Sequence, residues 1–142
     1  MNFQIDIFSD ISWLAVFVGT VVYCVFCGMW HRPFAFGKKW EEAMGFQRPE
    51  HWKETNIYYV VPLISCFVTS VGIAVLLKLT SANSIADAFV LGILSGIGFA
   101  MAVVFTVSVV PIMKKPLLFA AITGTAQALG IILATLTIYG LT

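Results

Sequence analysis

Residues 117–141 read LLFAAITGTAQALGIILATLTIYGL, a run without one charged side chain. As a helix rising about 1.5 Å per residue, it is long enough to cross the ~30 Å hydrocarbon core of a bilayer. Its two sides differ. At about 100° per residue, Ala120, Thr123, Gly124, Ala126, Gln127, Gly130, Ala134 and Thr137 collect on one side, with Leu118, Leu129, Ile132, Leu133 and Leu136 on the other. Lipid tails are as apolar as leucine, so transmembrane helices associate through small residues that let backbones approach and through polar groups that need partners. The stretch therefore predicts a transmembrane helix with one packed face and one lipid face. Pro116 suits its first turn, where a missing N–H costs nothing. Only Lys114 and Lys115 part it from the preceding apolar run, which predicts a tight hairpin.

Three more runs of spanning length lie upstream, Ala88–Met113, Ile57–Leu77 and Ile11–Trp30. Ser84 followed by Asp87 has the pattern of a capping box opening the third span. Pro111 kinks that span or ends it, and Pro33 stops the first after His31 and Arg32. The chain of 142 residues is 60% apolar and 11% charged, with a mean hydropathy of +0.96; a soluble domain is about half apolar and about a quarter charged. These values exclude an ordinary water-soluble domain. A formal net charge of +1 leaves no basic excess to hold nucleic acid. Cys24, Cys27 and Cys66 all sit inside apolar runs and so form no disulfide framework of a secreted fold. Asp6 and Asp10 precede a long first run where a cleaved signal peptide would carry basic residues, so this helix is expected to be retained.

Basic residues resist translocation, and their distribution predicts direction. Arg32, Lys38, Lys39, Arg48 and Lys53 lie between spans one and two, and Lys114 and Lys115 between spans three and four, leaving only Lys78 elsewhere. Both of those connections are expected in the cytoplasm and both termini outside. The fold class that follows is an all-α membrane protein, a single domain over 1–142, built as an antiparallel four-transmembrane-helix bundle with N and C termini out. Between helices 1 and 2, Trp40, Phe46 and Trp52 alternate with charges, which predicts an interfacial amphipathic segment with a short helix over Lys38–Met44, broken at Gly45.

Span three carries its own small residues, among them Gly92, Ser95 and Gly96 in a G-x-x-x-G setting, and span one offers Tyr23 beside Cys27. Tyr23, Gly92, Ser95, Gly96, Thr123, Gly124, Gln127 and Gly130 are the candidate pore or packing face. Gln127 is the most polar side chain at mid-membrane depth and must find a partner. Two readings stay open: helix packing within or between copies, and a solute path along a seam of an oligomer. No Asp, Glu, Lys, Arg or His lies inside a span, which argues against a proton-coupled pump.

Cys24 and Cys27 form C-x-x-C, but apolar surroundings give neither the cation nor the helix N-terminus that activates a thiol. Ordinary packing residues are the expectation, with a membrane thiol oxidoreductase as an outlying alternative. Met29, His31 and His51 match no metal spacing, and no phosphate loop, nucleophile elbow or zinc-protease motif occurs. No catalytic residue, cofactor or metal is expected. The basic residues of the cytoplasmic side, His31 with Arg32 and the pairs Lys38–Lys39 and Lys114–Lys115, are suited to anionic headgroups as well as to setting orientation.

Ser12-Trp13-Leu14-Ala15-Val16 opens span one, and Gly28-Met29-Trp30-His31-Arg32-Pro33-Phe34-Ala35-Phe36-Gly37-Lys38-Lys39-Trp40 closes it. In these residues the chain resembles the bacterial four-helix membrane family known as domain-of-unknown-function family 1761. Its members begin with a W-L-A-V helix and continue through a Gly and a Trp, a proline and F-G-K-x-W. The chain departs from that pattern at Ser12, where the family often has Asn, and follows it less closely in spans three and four. The resemblance implies the fold and a bacterial plasma (inner) membrane location, without an activity. It marks Trp30, Pro33, Phe36, Gly37, Lys38 and Trp40 as an interfacial patch. The expected partners are the lipid bilayer, further copies in a homo-oligomer, and possible other membrane proteins. The expected function is a small oligomeric transport or permeation component; the alternative is a structural or regulatory partner subunit of a membrane complex.

Overall fold

The computed structural model describes residues 5–142; the first four residues of the expected domain lie outside the described residues. A short 3₁₀ turn, Ile5–Phe8, leads into α1 (Trp13–Trp30), α2 (Gly37–Met44), α3 (Ile57–Leu79), α4 (Ile85–Ile93), a π-helical segment (Leu94–Met101), α5 (Ala102–Ser108) and α6 (Pro116–Gly140). No strand occurs among the described residues. Helices α1, α3 and α6 and the continuous Ile85–Ser108 stretch are each long and apolar enough to cross a membrane.

Local chemistry sets the ends. Ser12 caps α1, its hydroxyl accepting from the Ala15 N–H at 3.3 Å. Ser84 and Asp87 form the reciprocal capping box of α4. The Asp87 carboxylate accepts in turn from the Asn83 and Ser84 backbone N–H groups, at 3.2 and 3.1 Å. Helix α2 covers the expected short helix and ends where Gly45 adopts φ 77°, a left-handed turn that glycine enters without strain.

The helix of span three starts at Ile85, right after the expected cap and three residues ahead of its apolar run, and ends at Ser108 instead of Met113. The capping box fixes its start. Pro111 follows the helix, and the chain leaves helical geometry at Val109, φ −82° and ψ 77°; a residue before proline resists the α conformation, which favours an end ahead of Pro111. Proline at position 62, by contrast, lies inside α3. The π segment within span three has no counterpart in the sequence reading.

Helix α6 is the hub, packing against α1, α2, α3, α4, the π segment and α5. Its buried residues, from Ala120 and Ile122 to Thr135 and Ile138, face more than one direction. The expected lipid face narrows accordingly: Leu129 and Leu133 are exposed, whereas Leu118, Ile132 and Leu136 are half-buried. Two buried threonine hydroxyls bond backbone within their own helix, Thr20 to the Val16 carbonyl and Thr135 to the Ile131 carbonyl.

Candidate functional site

The residues singled out by the sequence fall on different sides of α6. Toward α1 runs a ladder of three rungs. Trp30 Nε1–H donates to the Ile122 carbonyl at 3.1 Å. Cys27 Sγ lies 3.6 Å from the Ala126 carbonyl oxygen, as donor. The Tyr23 hydroxyl donates to Oε1 of Gln127. Tyr23, Cys27 and Trp30 follow one another at four and three residues, so they line one face of α1. Below the last rung, a Cβ added at Gly130 would run into the Tyr23 ring and come within 3.2 Å of Cys27 Sγ. The absent side chain of Gly130 is the space the tyrosine ring fills. Further along, a Cβ at Gly19 would meet Ile138 Cγ1 at 2.7 Å.

Toward span three, the contact is backbone on backbone. A Cβ at Gly96 would lie 2.7 Å from the Ala128 carbonyl oxygen, and one at Gly92 would lie 3.1 Å from Ile132 Cα. Gly124 closes against Met101, and a Cβ there would lie 2.9 Å from its Cγ. Residue numbers fall on α6 as they rise on span three. Ser95 is buried in the same seam, and its hydroxyl has no hydrogen-bond partner among the described residues; the same holds for Ser70 of α3.

Thr123 turns to a third direction and accepts from Trp40 Nε1–H at 3.0 Å. This bond opens the interfacial patch. Trp40 also stacks on Phe119, ring centroids 6.0 Å apart, and meets His31 edge-on at 5.0 Å. Trp30 stacks on Phe36 at 4.4 Å. Gly37 is buried because its α-carbon lies on the His31 and Arg32 backbone, where a Cβ would clash, and its N–H donates to the Arg32 carbonyl at 3.0 Å. Pro33 and Lys38 are exposed. The patch thus joins the foot of α1 to the start of α6 through α2.

Several partners carry no side-chain signal. The acceptors at Ile122 and Ala126 are carbonyls that any residue would provide. The 4–3 spacing of Tyr23, Cys27 and Trp30 was visible in principle. Cys24, Cys27, Cys66 and Tyr23 share one apolar cluster, with Cys24 beside Cys66 and Cys27 turned to α6. All three cysteines are free thiols. Among the described residues, no group of His, Cys, Asp and Glu is arranged to hold a metal ion.

At the basic end, Glu42 on α2 ion-pairs with Lys115. That hydrogen bond and the charge of Lys115 keep the Glu42 carboxyl below its ordinary range, with Lys114 and Lys39 adding to the effect. The Glu41 hydrogen bond likewise holds the Arg48 guanidinium above its usual value, and Arg48 lies 4.8 Å over the Trp52 ring.

Residues 14–139 match the family described as "Protein of unknown function (DUF1761)". No curated protein matches the chain, and neither does any solved structure. Four spanning helices, the patch that turns the first into the second, and a match that runs from the first turn of α1 into the last of α6 lead to one conclusion: the chain belongs to the DUF1761 family.

Proposed function

We propose that this chain is a single-domain, multi-pass protein of the bacterial plasma membrane, an antiparallel bundle with both termini outside, that serves as a structural or regulatory subunit of a membrane complex. The filled seam on both sides of α6 supports this reading. Gly92, Gly96, Gly124 and Gly130 each sit against the facing helix, and Gln127 is engaged by Tyr23. A solute path along this face within one copy would have to displace the Tyr23 ring. Permeation then belongs to the other reading, a seam between copies of a homo-oligomer. For that seam Gly98, Ala102 and Thr106 are still uncovered on the exposed side of span three.

Two measurements test the proposal. In a cysteine-free background, Gln127→Cys and Thr123→Cys are expected to stay unlabelled by a small membrane-impermeant thiol reagent while loop cysteines react; rapid labelling at Gln127→Cys would restore a water path. Purification from native membranes in mild detergent is expected to bring a second membrane protein in fixed ratio. Repeated isolation of this chain alone as an oligomer would overturn the subunit role in favour of the seam between copies.

A further inference from the structure

The basic end of the molecule contains a recess of about 250 Å³. Lys38, Glu41 and Glu42 of α2 form one wall, Phe46 and Gln47 continue it, and Lys114 of the α5–α6 connection closes it. Two backbone features hold these distant segments together. Lys115 N–H donates to the Ala43 carbonyl at 2.8 Å. The left-handed Gly45 turns its α-carbon onto Lys114, so that a Cβ there would lie 3.3 Å from the lysine's own.

The charges in the recess are unequally committed. Glu41 pairs with Arg48, and Glu42 with Lys115. Among the described residues, neither Lys38 nor Lys114 has an ion-pair partner. The recess therefore presents two unspent ammonium groups beside carboxylates that are already neutralised. Trp30, Phe36 and Trp40 pack at this same end, and Phe46 and Trp52 meet beside it at 5.7 Å. Such rings settle at headgroup depth, where lipid phosphate is the concentrated anion.

We propose that this recess binds the phosphate of an anionic phospholipid headgroup, with Lys38 and Lys114 as its two cationic contacts. The inference needs the four helices to span a bilayer, but it is independent of any partner subunit, because the purified chain alone provides the site.

Native mass spectrometry of the purified chain, with phosphatidylglycerol and phosphatidylcholine of identical acyl chains, tests it. Phosphatidylglycerol is expected to be retained in preference. The Lys38→Gln/Lys114→Gln variant is expected to lower that preference about tenfold, the scale on which lysines act on anionic headgroups. Lys38→Arg/Lys114→Arg is expected to keep it. The Lys39→Gln/Lys53→Gln variant, with the same charge change outside the recess, is expected to stay within about twofold of the parent. Equal losses in the two glutamine variants would mean general surface charge and overturn the site, as would no loss in the recess variant. Displacement of the lipid by millimolar inorganic phosphate would reassign the recess to a soluble anion.

Discussion

Helices α6 and α3 are both apolar and of spanning length, and α3 is the more apolar. Yet α6 is the more buried of the two, keeping only a narrow exposed strip that includes Leu129 and Leu133, whereas Ile57 through Ser65 of α3 are exposed on every side and burial begins at Cys66. In water the more apolar helix would be expected at the centre. In a bilayer, tails solvate Ile57, Tyr58, Val60, Val61, Leu63 and Ile64 as well as a protein neighbour does, so apolarity gives no reason to hide them. Helix α6 is central because Gly124 and Gly130 admit close neighbours, and because Gln127 and its carbonyls at Ile122 and Ala126 meet donors. Size and polarity, not hydropathy, sort the inside from the outside.

The sharpest way to break this contrast is to fill the seam. Gly96→Val would press methyl groups into the Ala128 backbone, which cannot swing away, and is expected to cost about 3 kcal/mol, read as a lowered unfolding midpoint in detergent. Gly72→Ala, at an open position on α3, is expected to change stability by less than about 1 kcal/mol and in the favourable direction. A similar loss in both would defeat the packing account.

Next in size is the Tyr23–Gln127 rung. Tyr23→Phe and Gln127→Leu are each expected to cost about 1 kcal/mol, and the double variant less than the sum, as for groups that share one bond. Strict additivity would mean the two side chains do not act on each other. Ile64→Ala on the exposed part of α3 is expected to cost no more than about 0.5 kcal/mol; a core-sized loss would reveal a neighbour that covers this helix.

The smallest effect concerns pH at the α2 contact. Because Lys115 depresses the Glu42 carboxyl below its ordinary value of 4.5, the pair stabilises the fold above that pH. That contribution fades as the pH falls through the lower folded value. Melting profiles between neutral and acidic pH are expected to show this loss in the parent, and Glu42→Gln is expected to remove it. An unchanged profile in the variant would place the acid sensitivity elsewhere.

Much of this was legible beforehand. The four spans followed from uncharged runs, the start of span three from Ser84 and Asp87, and the adjacency of spans three and four from the short Lys114–Lys115 connection; their glycine faces could equally have met other copies. The single packed face expected on α6 became several, because periodicity reports which residues are small and not how many neighbours arrive. The ladder to Ile122 and Ala126 was hidden since its acceptors are backbone. So was the recess, where Lys38 and Lys114 are brought together only by a loop contact. The end of span three was misplaced because Val109, Val110 and Ile112 are apolar whether or not they are helical.

The π segment of span three has a consequence for insertions and deletions. Between Leu94 and Met101 the backbone bonds reach back one residue further than in an α-helix, so this stretch stores slack in an otherwise regular rod. Removing one residue there would let the α pattern close without a loop and leave the helix beyond it facing nearly as it does, whereas the same deletion in a regular α stretch would turn everything beyond it by about 100°. Gly92 would keep its place on Ile132, and Met101 and Phe105 would stay against Gly124. Span three can thus shorten by one residue without changing which surface its far end turns toward α6.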